Sequence, residues 1–299
     1  MQTKPRFLIS RLGALGDVIL TTPIIRKIHQ DRGGFCEISV RTFAVDVFAR
    51  NPHVHQILDG RTPIRPEDFD CVINLDLAYE KNPKVHILDA YGFYAFGGQL
   101  DFDRTCELFP GDEDQRFGRA IAESLPGGFI VMHMRRVPQS NKSPPESFWQ
   151  EVVLGLLAET PWSILQIGAA GEIAFGGDPR LVDLRGQLSI HQLREVIAGA
   201  RSFSAMDSGP SWVASTTTTN TVVFYTTARA EYRLPSRHGG NHTVMTPDIP
   251  CYGCRERMPL GSTMVACERG DEDCVNRFDP RAAIDAIKAA SAPGTSAIT

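Results

Sequence analysis

The chain has 299 residues, 42% hydrophobic and 22% charged, with a formal net charge of −4. This is the make-up of a globular protein of about two domains, and 26 glycines and 20 prolines are too few for a collagen-like or low-complexity chain. Neither the first 125 residues nor the remainder carries a basic excess, so bulk charge argues against duplex nucleic acid as a partner. No apolar run approaches the roughly 18 to 20 residues of a membrane span. Phe7-Leu8-Ile9 is too short for a signal-peptide core, so the expected location is the cytoplasm.

Short apolar runs alternate with helical patterns, the rhythm of parallel sheets covered by helices. Phe7 to Ser10 reads as a strand and Arg11 to Gly16 as a glycine-bearing turn. Asp17 to His29 reads as a helix with Val18, Ile19, Ile24, Ile25 and Ile28 on its apolar face. Strands are expected at Cys36–Val40, His55–Leu58 and Phe69–Leu75, with a short helix at Val45–Arg50. The pattern restarts at Pro126-Gly127-Gly128. Beyond it, strands are expected at Phe129–His133, Ser163–Ile167, Leu181–Leu184, Phe203–Met206 and Thr221–Tyr225, and helices at Pro145–Thr160, Ile190–Ala200 and Ser211–Ser215. The expectation is two Rossmann-like units, 1–126 and 127–290, with a ligand cleft between their strand ends and a frayed tail over 291–299.

Three segments carry polar chemistry where strands give way to helices. In Arg11-Leu12-Gly13-Ala14-Leu15-Gly16-Asp17, the glycines permit a tight turn, and the helix start offers N–H groups to an anion. Asp17 reads either as the cap of that helix or as a chemical group in the cleft. Asp207-Ser208-Gly209-Pro210-Ser211-Trp212 follows a strand in the same way. It is either a cap with Pro210 in the first turn or a site for a sugar hydroxyl and a phosphate. Lys142, before the helix at Pro145, is either a solvated lysine or a cation for a leaving phosphate, and Glu172 in the Gly168–Gly177 loop is open in the same sense.

Taken together, residues 11–23 resemble the signature of glycosyltransferase family 9, the bacterial ADP-heptose:lipopolysaccharide heptosyltransferases. Further similarities follow in order: Asn51-Pro52-His53-Val54, Lys142…Pro145…Trp149, Gly168…Glu172, Leu184-Arg185-Gly186-Gln187-Leu188-Ser189 and Asp207-Ser208-Gly209. The resemblance implies an α/β GT-B fold, with the acceptor on the N-terminal half and the nucleotide sugar on the C-terminal half. It implies Asp17 as general base in an inverting transfer, Lys142 on the leaving diphosphate, and Gly16, Glu172, Asp207, Ser208, Gly209 and Trp212 around the donor. A helix N-terminus would favour the charged form of Asp17 and lower its basicity.

The departures gather around the donor. Trp212 stands where the family usually has His, Lys142-Ser143-Pro144-Pro145 lacks the family's aromatic, and Met134-Arg135-Arg136-Val137 replaces a small glycine-rich loop. Arg135 and Arg136 read either as replacement phosphate contacts or as a solvated basic pair. The expected donor is ADP-heptose, with a UDP- or dTDP-sugar as the alternative. The acceptor is a glycan, lipopolysaccharide core or protein hydroxyl. A reading from another class is a nucleotide-sugar-binding protein without transfer activity. With no basic excess, any contact with the inner membrane face is expected to be peripheral and transient.

Cys251, Cys254, Cys267 and Cys274 form a C-x2-C-x12-C-x6-C set, whereas Cys36, Cys71 and Cys106 are scattered. Four thiolates suit a structural Zn or Fe ion and leave no open position for catalysis. Free thiols and disulfides are the alternatives.

Overall fold

The computed structural model describes residues 3–98, 101–135, 141–237, 239–260 and 266–292. The chain runs β1 (Arg6–Ser10), α1 (Leu15–Ile19), α2 (Thr22–Asp31), β2 (Glu37–Thr42), β3 (Gln56–Asp59), β4 (Cys71–Asn74), α3 (Ile87–Phe96) and α4 (Asp112–Ser124). It continues β5 (Phe129–His133), α5 (Glu146–Glu159), β6 (Ser163–Gln166), β7 (Leu181–Asp183), α6 (Ile190–Ala198), β8 (Phe203–Met206), α7 (Gly209–Ala214), β9 (Thr221–Phe224), β10 (His242–Met245), α8 (Asp273–Asn276) and α9 (Pro280–Ser291).

The strands form two separate sheets, β3-β2-β1-β4 and β10-β9-β8-β5-β6-β7, and the pairings in both are parallel. Parallel strands are covered on both faces, which explains continuous apolar runs such as Phe129-Ile130-Val131-Met132, buried along its whole length. Each sheet reverses its strand order once, between β1 and β4 in the first and between β5 and β8 in the second. At such a reversal the loops leave the carboxyl ends in opposite directions and open a crevice, where ligands of parallel sheets bind.

A single apolar cluster joins residues of the two sheets, from Phe7, Ile9 and Val40 to Phe129, Val131 and Phe203. It is continued by α1 against α7 and α4 against α6. A second cluster, centred on Phe148, Trp149, Phe224 and Phe278, is built only from the later half.

The helix expected over Asp17–His29 is broken in two at Leu20–Thr21. Pro23 has no N–H for the Ile19 carbonyl, and the Thr22 hydroxyl donates to that carbonyl instead, at 2.8 Å. Thr21 does the same for Val18, also at 2.8 Å. The short helix expected at Val45 is a 3₁₀ turn, Val45–Phe48. Helices α3, α4 and α9 and strand β10 were not expected. The α9 start carries a readable signal, since Asp279 accepts from the Arg281 N–H at 2.9 Å and Pro280 takes the first helical position. Ser291, expected in the tail, instead closes α9, and its hydroxyl lies 2.7 Å from that of Ser202. Residues 293–299 and Arg136 lie outside the described residues.

Candidate active site

The carboxyl ends at both order reversals line one cavity of about 490 Å³. From the first sheet come Arg11, Gly16 and Asp17 after β1 and Asp76, Tyr79 and Glu80 after β4. The second sheet contributes Arg135 after β5 and Asp207, Ser208, Gly209 and Trp212 after β8, with Lys142 from the loop before α5. Asp17, Lys142 and the Asp207-Ser208-Gly209 triplet, far apart in sequence, therefore share one space.

Asp17 is the third residue of α1, and Ala14 occupies the cap position. The carboxylate still reaches back, accepting from the Ala14 N–H at 3.3 Å. It also pairs with the Arg11 guanidinium and accepts from the Tyr79 hydroxyl at 3.4 Å. Among the described residues, these contacts all fall on Oδ2, so Oδ1 is not committed to them. Arg11 is itself buried, donating to the Leu75 carbonyl at 3.0 Å and to Glu80 at 3.3 Å.

Burial raises the Asp17 carboxyl above the usual aspartate range, outweighing the charge and hydrogen bond of Arg11, while the negative charge of Glu80 pushes the same way. The expectation of a weakened base is thus overturned. A five-residue helix offers little dipole, and desolvation decides.

A second, adjoining cavity of about 330 Å³ shares Ala14, Gly16, Arg135 and Gly209 with the first. It holds Glu172, together with His133 and the apolar side chains Ile167, Leu184, Leu188 and Leu193. The expected donor residues therefore divide: Lys142, Asp207, Ser208 and Trp212 line the larger space, and Glu172 the smaller. Glu172 accepts from the Ala169 N–H at 3.1 Å, lies 3.0 Å from His133 Nε2 and pairs with Arg135 at 3.2 Å. Burial acts to raise its carboxyl, but the hydrogen bond from His133, the Ala169 N–H and the charge of Arg135 hold it below the usual range. Arg135 thus has Glu172 as an ion-pair partner, and Lys142 is exposed at the wall of the larger cavity.

Gly16 sits where α1 crosses α7. A Cβ there would lie 2.7 Å from Trp212 Cδ1 and 3.4 Å from the Gly209 Cα. Trp212 lines the cavity yet is only 4% exposed, because its indole fills the space that Gly16 leaves. Ser208, not Asp207, caps α7, and its hydroxyl is engaged by His133.

His133 was read only as the end of a strand. Its place at the carboxyl end of β5, beside the order reversal, is the signal that would have singled it out. The pairing of Arg11 with Glu80 was not expected either, and nothing local in the sequence announces it.

Cys274 is buried, its Sγ 3.7 Å from the Asn141 carbonyl just before Lys142, and Arg255 of the same cysteine-bearing segment lines the larger cavity. The thiols feel one another: burial, with the charges of Cys254, Cys267 and Cys251, pushes Cys274 up to about 12. Among the described residues, however, no three His, Cys, Asp or Glu side chains come together closely enough to hold a metal ion. As they stand, the four thiols supply a suitable donor set without the convergence that a metal requires.

No protein-family model matches the chain, and no curated protein matches it in sequence. Solved structures do match it in three dimensions. A glycosyl transferase family 9 protein from Veillonella parvula DSM 2008 aligns over 97% of this chain and 98% of its own, with a TM-score of 0.76 and 14% identity. The iron-containing dodecameric glycosyltransferase TibC from enterotoxigenic E. coli H10407 aligns over 97% of this chain and 77% of its own, with a TM-score of 0.73 and 14% identity. The E. coli ADP-heptose lipopolysaccharide heptosyltransferase II aligns over 96% and 98%, with a TM-score of 0.70 and 13% identity. No helix among the described residues is long and apolar enough to cross a membrane. At these identities the likeness is one of fold, and this chain has the two-sheet parallel α/β fold of the family 9 heptosyltransferases.

Proposed function

We propose that this protein is an inverting glycosyltransferase that moves a sugar from a nucleoside-diphosphate donor to an acceptor hydroxyl. The observation that carries the reading is Asp17, a carboxylate raised by burial in the same cavity as Lys142 and the Asp207-Ser208-Gly209 triplet. Asp17 takes the proton of the acceptor hydroxyl as that oxygen bonds to the anomeric carbon and the bond from that carbon to the diphosphate oxygen breaks. Lys142 and the backbone N–H groups of Ser208 and Gly209 stabilise the negative charge on the departing diphosphate, the Asp207 N–H being held by the Phe224 carbonyl. The apolar cavity of Ile167, Leu184, Leu188 and Leu193 receives the nucleoside, with Glu172 as its polar anchor.

We take ADP-heptose as the donor, since TibC has been solved with ADP-D-β-D-heptose. The acceptor is a glycan, lipopolysaccharide-core or protein hydroxyl. We take 1–126 and 127–290 as the two parts, with the acceptor on the first and the donor on the second, a division supported by β1–β4 and β5–β10 forming separate sheets. In this reading the enzyme works in the cytoplasm, with at most brief contact with the inner membrane face.

Thermal-shift measurement with ADP, UDP, GDP and dTDP tests the donor, because a ligand selective for the folded state raises the melting temperature. ADP is expected to give the largest shift; a larger shift with UDP or dTDP moves the donor to that nucleotide, and none with any of them removes the donor assignment. Glycosyl transfer by the wild type and Asp17→Ala tests the chemistry, and full activity in the variant overturns the mechanism. Binding of a nucleotide sugar that the wild type neither transfers nor hydrolyses favours the reading without catalysis.

For the cysteine segment we propose a structural Zn or Fe ion, supported by the four-thiol donor set of the C-x2-C-x12-C-x6-C spacing, whose thiols would have to draw closer together to bind it. Once bound, the metal would stiffen the support behind Asn141 and Lys142. Elemental analysis of anaerobically purified protein is expected to find one equivalent, and no stoichiometric metal overturns it.

A further inference from the structure

The buried imidazole of His133, 3% exposed, lies between two polar groups that face different cavities. Its Nε2 is 3.0 Å from Glu172 Oε2 and its Nδ1 is 3.0 Å from Ser208 Oγ. Ser208 lines the larger cavity and Glu172 the smaller. Around this line of groups stand Arg135 at 3.2 Å from Glu172, Arg185 on the Glu172 carbonyl, Asp183 behind Arg185 at 2.7 Å, and Asp207 next to Ser208 in sequence.

An ionised carboxylate accepts hydrogen bonds and donates none. The imidazole nitrogen facing Glu172 therefore carries the proton, and in the neutral ring Nδ1 keeps its lone pair. A nitrogen with a lone pair must receive a donor, and the partner within reach is the Ser208 hydroxyl. Once that proton points at Nδ1, only the lone pairs of Ser208 Oγ are left for a ligand.

We propose that His133 is a positioning residue that makes Ser208 Oγ a hydrogen-bond acceptor toward the larger cavity, so that it receives a hydroxyl of the transferred sugar and not a phosphoryl oxygen. This rests on the donor-site reading above, in which the nucleoside occupies the smaller cavity and the sugar the space next to Asp17. It divides the labour within the triplet: Ser208 and Gly209 meet the diphosphate through backbone N–H groups, while the Ser208 side chain reads the sugar. It also gives Glu172 an effect in the cavity that it does not line, because its charge fixes the ring whose other nitrogen turns the serine.

Two measurements test this. The first uses the ligand-free protein and long-range ¹H–¹⁵N correlation of the imidazoles, with His133 assigned by its loss in His133→Gln. Nε2 is expected to be protonated and Nδ1 bare, with the ring signals displaced in both Glu172→Gln and Ser208→Ala. A proton on Nδ1, or signals unchanged in those variants, overturns the proposal. The second compares the binding of ADP and of ADP-D-β-D-heptose to wild type and Ser208→Ala. One lost hydrogen bond is expected to weaken the nucleotide sugar about fivefold while ADP changes less than about twofold. Equal weakening of the two places the hydroxyl on the diphosphate and overturns the proposal. If neither ligand binds the wild type, the donor reading fails and with it the assigned ligand, while the imidazole signals still decide the orientation of Ser208.

Discussion

Asp17 and Glu172 are both carboxylates beside an arginine, in adjoining cavities at the ends of parallel strands, and their acidities move in opposite directions. Asp17 pairs with Arg11, whose side chain is 5% exposed, so the ion pair lies within the protein and desolvation outweighs it. Glu172 pairs with Arg135, which is 49% exposed, and takes in addition a backbone N–H and an imidazole. A cationic neighbour alone does not decide whether a carboxylate becomes a stronger or weaker base. What decides is whether the hydrogen bonds and charges that reach it replace the water it lost. Environments that push two carboxylates apart suit them to different tasks, which in the function proposed above are proton transfer for Asp17 and nucleotide binding for Glu172.

If this division is right, the two residues fail differently. Asp17→Ala is expected to lower turnover by roughly a hundred- to ten-thousandfold, the range of general base catalysis, with nucleotide affinity within about twofold of wild type. Glu172→Gln is expected to weaken nucleotide binding about tenfold, as for a hydrogen bond to a charged group, and to leave turnover at saturation largely intact. Titration calorimetry alongside saturation kinetics separates them. Reversed roles, or two variants losing both quantities alike, would break the comparison. Glu172 carries a stability signature as well. Its folded pKa lies below the ordinary value, so its contribution is present above the unfolded carboxylate range and is lost as pH falls through the folded value. The stability gap between wild type and Glu172→Gln should therefore close on acidification.

The close approach of α1 and α7 keeps these cavities adjacent, and its two glycines are not equivalent. A methyl group on Gly16 meets the buried Trp212 ring at 2.7 Å, whereas one on Gly209 meets Leu15 atoms at an ordinary 3.4 Å. Gly16→Ala is expected to destabilise the fold by about 1–3 kcal/mol through overpacking, and Gly209→Ala by clearly less. Denaturant unfolding ranks them. Equal losses would mean that Trp212 yields without strain and that the seam is looser than its geometry indicates.

Much of this arrangement is legible in the amino-acid sequence. The apolar runs at Phe7, Phe129, Ser163 and Phe203 announced parallel strands, and the polar residues after them announced the cavity that holds Asp17, Lys142 and Asp207. Local pattern could not show that Arg11 is held from behind by Glu80, 69 residues away, or that His133 stands between Glu172 and Ser208. Those contacts exist only once β1 lies beside β4 and β5 lies between β6 and β8. The acidity of Asp17 was misread for the same reason. A helix start is visible in sequence, but the burial that outweighs it is made by distant segments. The break at Leu20–Thr21 was open to reading, since Pro23 removes an N–H and two threonines precede it.

The smallest expected effect gives the finest test of why Asp17 differs from Glu172. Two charges act on Asp17 in opposite senses: Arg11 lowers its pKa and Glu80 raises it. A base must be ionised to accept a proton, so transfer is lost as pH falls through the Asp17 value, and the acid limb of the rate profile reports that value directly. Arg11→Lys keeps the positive charge but gives up the fork that holds Asp17, Glu80 and the Leu75 carbonyl together. With its hydrogen bond weakened, Asp17 is raised further and the limb moves to higher pH, while turnover at neutral pH changes little. Glu80→Gln removes the opposing charge and moves the limb to lower pH. Shifts of opposite sign in the two variants would establish that Asp17 is tuned within this buried triad. Shifts of the same sign would mean that the limb belongs to another group, and the proton would have to be assigned elsewhere in the cavity.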